Sequence, residues 1–106
     1  MVCWRNGVTM YRIVVAVDED NNIGSLEDAE KLLFIDLDTG YSFSVDNPLK
    51  KGLTHLLEEL IEEYSPVIMF CRNAGDQVKD FFEENGVKVV TTSLNSIDEL
   101  LSYVRG

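Results

Sequence analysis

The residues in this chain with the most chemical potential are few and fall close to two apolar runs. Cys71 follows the run Val67 to Phe70, and its neighbours are Arg72, Asn73, Ala74 and Gly75. Asp18, Glu19 and Asp20 follow the run Tyr11 to Val17, and the stretch continues through Asn21, Asn22 and Gly24 to Ser25. A single imidazole, His55, stands near Lys50 and Lys51. A thiol and an imidazole are soft or borderline ligands suited to iron, zinc or iron-sulfur centres, whereas carboxylates favour harder cations. An arginine and a helix N-terminus beside an exposed thiol would lower its pKa and make it a nucleophile or ligand. The backbone N–H groups of Asn73 to Gly75 form at most a weak anion cradle, and Gly75 also suits a tight strand-to-helix turn.

Such groups act together only if secondary structure brings them to one place. Tyr11 to Val17 reads as a central strand, because its β-branched run is apolar at successive positions and too short for a buried helix. Asp18 to Ser25 is then a loop. Glu27 to Lys31 is expected to form one helical turn. Leu32 to Leu37 (LLFIDL) is a second strand, Asp38-Thr39-Gly40 a hairpin turn, and Tyr41 to Val45 a half-exposed edge strand alternating with serine. Asp46, Asn47 and Pro48 break that strand and begin a helix. Its apolar positions Leu53, Leu56, Leu57, Leu60, Ile61 and Tyr64 follow the amphipathic period.

Ser65-Pro66 ends the helix, and Val67 to Phe70 forms another interior strand, with Cys71 to Gly75 as the loop leaving it. A second helix turns Val78, Phe81 and Phe82 inward and stops at Asn85-Gly86. Val87 to Thr92 is the last strand. Ser96 and Glu99 form a capping box for a final helix bearing Ile97, Leu100, Leu101 and Val104.

The order β-β-β-α-β-α-β-α argues for a mixed five-stranded sheet of an α/β protein. The expected spatial order is 3-2-1-4-5, the ribonuclease H-like three-layer arrangement, with a doubly wound flavodoxin-like order as the alternative. The loops after strands 1 and 4 then leave a common edge in opposite directions, which predicts a crevice between them. That crevice would bring together Asp18, Ser25, Cys71, Arg72, Asn73 and Gly75 as candidate cofactor-binding residues. His55 and Cys71 are the candidate metal ligands.

Composition narrows the function classes. The 106 residues suffice for one core, with 45% hydrophobic and 26% charged residues. Residues 1–9 are expected to be a flexible extension and 10–106 a single domain. Nine Lys and Arg against 19 Asp and Glu give a net charge of −10, which opposes a nucleic-acid partner. Cys3 and Cys71 match no zinc spacing, and no apolar stretch approaches a membrane span. A cytoplasmic protein with reduced thiols is expected.

The strand RIVVAVDED, the pair LLFIDLDTG, the Asn47-Pro48 turn and the block VIMFCRNAGDQVKDFFEENGVKVV together resemble the dinitrogenase iron-molybdenum cofactor biosynthesis family, of the NifX/NifB-accessory type. The resemblance covers residues 11 to 106. It implies a ribonuclease H-like fold and a non-catalytic accessory protein that carries an iron-sulfur or iron-molybdenum cluster precursor, or meets a metallocluster-assembly protein. As an assembly it implies a monomer or weak homodimer. Where the family has a His-Phe-Gly-Arg-Ala stretch, this chain has Leu26-Glu27-Asp28-Ala29-Glu30, and of the histidines ahead of the first helix it keeps His55 alone. Two rivals follow: a degenerate, cofactor-free interaction module, and a magnesium-dependent nuclease using Asp18 and Asp36.

Overall fold

A computed structural model describes the backbone of residues 12–105 and the side chains of residues 12–103. The extension expected over residues 1–9 lies outside the described residues. Five strands form the sheet: β1 (Arg12–Val17), β2 (Lys31–Asp36), β3 (Ser42–Asp46), β4 (Ile68–Cys71) and β5 (Lys88–Thr91). Their order is β3-β2-β1-β4-β5, as the element sequence predicts. β1 pairs antiparallel with β2, and β2 antiparallel with β3; β4 lies parallel to both β1 and β5. An antiparallel β2 beside the central strand rules out the wholly parallel flavodoxin-like alternative.

The apolar run of β1 is explained by burial on both faces. Val14 and Ala16 pack beneath α1 (Thr54–Tyr64) and α2 (Asp76–Glu84), together with Leu32, Phe34, Met69 and Phe82. Ile13, Val15 and Val17 face the other way, with Ile35 and Phe70, toward Leu100 of α3 (Ile97–Arg105). Each fully buried aliphatic or aromatic side chain contributes about 1.5–3 kcal/mol, so the central strand is the energetic centre of both layers. At the sheet margin Phe34 and Phe43 stack at 5.0 Å, and Tyr64 meets both edge-on at 5.2 Å. Tyr64 is thus the residue that fastens the end of α1 over β2 and β3.

Several boundaries differ from expectation for definite reasons. The expected turn over Glu27 to Lys31 begins earlier, with the Ser25 carbonyl accepting from the N–H groups of Asp28 and Ala29. Lys31 instead joins β2 opposite Val17, and Leu37 falls in the hairpin turn. Asn47-Pro48 opens a separate 3-10 helix, Pro48–Lys51, which Gly52 closes at φ 70° before α1 begins at Thr54. Cys71 is the last residue of β4, not the first of the loop, because its partner Thr91 extends the parallel ladder that far. The Ser96 cap is as predicted: its hydroxyl oxygen accepts the Glu99 N–H at 3.2 Å. Gly86 likewise adopts the left-handed conformation, φ 83°, just beyond α2. Among the described residues no helix is long and apolar enough to cross a membrane.

Candidate functional site

At the edge where β1 and β4 end, the chain immediately doubles back. The Asp18 carboxylate accepts the N–H groups of Asp20 and Asn22 at 2.8 and 2.9 Å, an Asx turn that lets Asn21 take φ 63°. The returning segment pairs again with its own strand: Ile23 bridges Val17, and the Gly24 N–H donates to the Ala16 carbonyl at 2.9 Å. Asp18 therefore folds its own loop, with its Oδ1 already satisfied.

The same segment then joins the loop after β4. The Arg72 N–H donates to the Gly24 carbonyl, and the Leu26 N–H donates to the Asn73 carbonyl, both at 2.9 Å. The Ser25 hydroxyl donates to Asn73 Oδ1 at 3.2 Å. A third loop is tied in by the Arg72 guanidinium, which donates to Asn95 Oδ1 at 2.9 Å and the Leu94 carbonyl at 3.3 Å. The Ile23 N–H donates to the Asn95 carbonyl, and Asn22 bridges Ser96. The crevice expected between the loops after β1 and β4 is thus spanned by backbone hydrogen bonds. The sequence rule located the edge correctly, but here the diverging loops are stitched together.

The N-terminus of α2, the expected anion cradle, carries one of the chain's own carboxylates. The Gly75 N–H donates to Glu27 Oε2 at 3.0 Å, a favourable interaction of an anion with a helix start. Gly75 has φ −68°, so its backbone does not require glycine. A Cβ there would lie 2.6 Å from Glu27 Oε2, so a larger residue would displace the end of that flexible side chain from the helix start. Glu27 is a residue of this edge that the sequence left unassigned, since nothing local to it signals a partner 48 positions away.

Beneath this layer Cys71 is 0% exposed and packs among apolar residues including Ala16, Leu26 and Ala29. Burial, reinforced by the Glu27 carboxylate and opposed by Lys79, pushes its thiol up to about 11. The lowering expected for an exposed thiol beside Arg72 is therefore reversed: the guanidinium turns away to Asn95, and desolvation dominates. His55 is exposed on the first turn of α1. Among the described residues no group of three or more His, Cys, Asp or Glu side chains is placed to hold a metal ion.

All six candidate cofactor-binding residues do share one edge, yet Asp18 Oδ1 is bonded within its own loop, Ser25, Arg72, Asn73 and Gly75 bond one another or adjacent loops, and Cys71 is sealed below. The donor set does not fit an iron-sulfur group, which needs thiolate or imidazole at its surface. The nuclease pair is also separated. Asp36 pairs with Arg12 at the opposite end of β1, and its carboxylate accepts the hairpin N–H groups of Asp38 and Thr39 at 2.9 and 3.2 Å. At about 3.3 Å per residue, the length of β1 keeps it from Asp18.

This mixed sheet with its crossovers is a fold known from solved structures, and the likeness extends over nearly the whole chain. A Thermotoga protein described as a NifB candidate of the DUF35 family superposes with a TM-score of 0.72 at 18% identity, over 92% of this chain and 90% of its own. A candidate dinitrogenase from Methanocaldococcus jannaschii gives 0.70 at 16% identity, over 92% and 88%. The apo form of the orange protein from Desulfovibrio gigas gives 0.69 at 17% identity, over 92% and 89%. At these identities the shared property is the fold. No family model and no curated protein matches the sequence.

Proposed function

We propose that this chain is a cytoplasmic, non-catalytic accessory protein of a metallocluster-assembly pathway, acting through contact with a partner protein rather than by holding a cluster on Cys71. Its fold, which we read as ribonuclease H-like, is that of the dinitrogenase and NifB candidates and the orange protein, and this supports the pathway. The observation that carries the mode of action is the state of Cys71, fully buried and pushed up to about 11. A thiol in that state is protonated at neutral pH and offers no thiolate at the surface to a cluster. Glu27 on the start of α2 adds to this, because an anionic cluster precursor arriving there would meet a carboxylate already in its place. The protein is proposed to be a monomer or a weak homodimer.

Anaerobic reconstitution with iron and sulfide, followed by desalting and visible spectroscopy, tests this reading. Wild type and Cys71→Ala are expected to come off the column equally colourless. A sulfur-to-iron absorption band retained by the wild type and lost in Cys71→Ala would overturn it.

A further inference from the structure

On the sheet face covered by α1 and α2, both helices return from the edge where β1, β3 and β4 end, so they run in the same direction with their first turns side by side. Between those turns lies an open groove of about 250 Å³, lined by Leu49, Thr54, Gln77, Val78 and Phe81. Leu49, Val78 and Phe81 are only partly buried, leaving apolar surface that no other part of the described residues covers. The i, i+4 spacing of a helix continues Thr54 along its flank with Glu58 and then Glu62, and the i, i+3 spacing continues Phe81 with Glu84. All three glutamates are exposed. By this spacing carboxylates continue the flanks of both helices beyond the apolar lining of the groove.

The charge is concentrated on this face. α1 carries four carboxylates and no Lys or Arg, and α2 carries four against Lys79, so the two helices hold −7 of the chain's −10. Solubility alone requires no such concentration beside an apolar groove.

We infer that this groove docks a short basic amphipathic helix of a partner protein, an aliphatic side chain entering between Leu49, Val78 and Phe81 while Lys or Arg residues pair with Glu58, Glu62 and Glu84. The inference rests on the reading of the chain as a protein that works by contact. Helix-in-groove recognition supplies the anchor, and complementary charge along the rim sets register and speeds encounter. Phosphate backbones and anionic membranes are repelled by the same rim.

The probe is a labelled peptide of about 14 residues built from Lys and Leu at amphipathic helical spacing, titrated by fluorescence anisotropy at about 0.1 M salt. Wild type is expected to bind it, and Glu58→Lys with Glu62→Lys to weaken binding by about tenfold or more. Glu59→Lys with Glu63→Lys changes the net charge equally on the opposite flank and is expected to cost less than about threefold. Replacing the peptide's leucines by serine is expected to weaken binding by about tenfold or more. No binding by wild type, equal losses in the two double variants, or an undiminished serine peptide would each overturn the inference. Colour at Cys71 after reconstitution judges the underlying reading separately, and a failed titration leaves that result unchanged.

Discussion

Asn47→Ala is expected to lower the unfolding free energy by roughly 2–4 kcal/mol, a large fraction of the stability of a domain this size. Asn47 is 1% exposed, and its side chain is fully used. Nδ2 donates to the carbonyls of Leu26 and Ala29 at 2.7 and 2.9 Å, while Oδ1 accepts the Leu49 N–H at 3.0 Å and caps the 3-10 helix. Each such bond is worth about 1 kcal/mol net, but removing the amide also leaves buried backbone groups without partners, which costs more than the bonds themselves. Asn47→Asp retains the cap yet turns a negative oxygen toward two carbonyls, so it is expected to be no better. Urea titration checks both variants: the midpoint should fall while the slope stays that of wild type.

The second large effect is a loss of stability at alkaline pH that depends on Cys71. In the unfolded chain the thiol ionises near 9.0, and in the fold near about 11. Below pH 9 both states hold the proton, and the contribution of the buried thiol is fully present. As pH rises from 9 to 11 the unfolded chain releases a proton that the fold retains, so unfolding becomes easier across that window. The full linkage value is reduced because the Glu27 carboxylate above the thiol is partly solvated, leaving on the order of 1–2 kcal/mol. Tyr64, whose phenol burial also raises, works in the same direction from its ordinary 10.0. Cys71→Ala is expected to flatten most of the decline in urea midpoint between about pH 8 and pH 11 and to leave the Tyr64 portion.

Much of this architecture is legible in the sequence because its causes are local. The run Tyr11 to Val17 is apolar at successive positions because β1 is covered on both faces, and the period of α1 follows from packing one face on a sheet. Ser96 with Glu99, and Asn85 with Gly86, announce helix ends through chemistry that operates within a few residues. The state of the site is not legible in that way. Cys71 becomes a strand residue only because Thr91 pairs with it. Glu27 reaches the start of α2 across a long sequence separation, and Asn47 satisfies carbonyls belonging to the turn at Leu26 to Ala29. These are long-range backbone-to-side-chain bonds, and they convert a predicted crevice into a closed layer. A sequence pattern can bring loops to one edge, but it does not show whether they part or bond.

The claim on which the account turns is that Cys71 is a core thiol and not a ligand. Its alkylation by iodoacetamide, followed by mass spectrometry in a Cys3→Ser background, measures this most directly. At about pH 8 the shift to about 11 reduces the thiolate fraction by about a hundredfold relative to the unfolded chain, before any shielding by the loops above it. Alkylation of the native protein is therefore predicted to be at least a hundredfold slower than in urea. A native rate within about tenfold of the unfolded rate would contradict the account and return Cys71 to the candidate ligands.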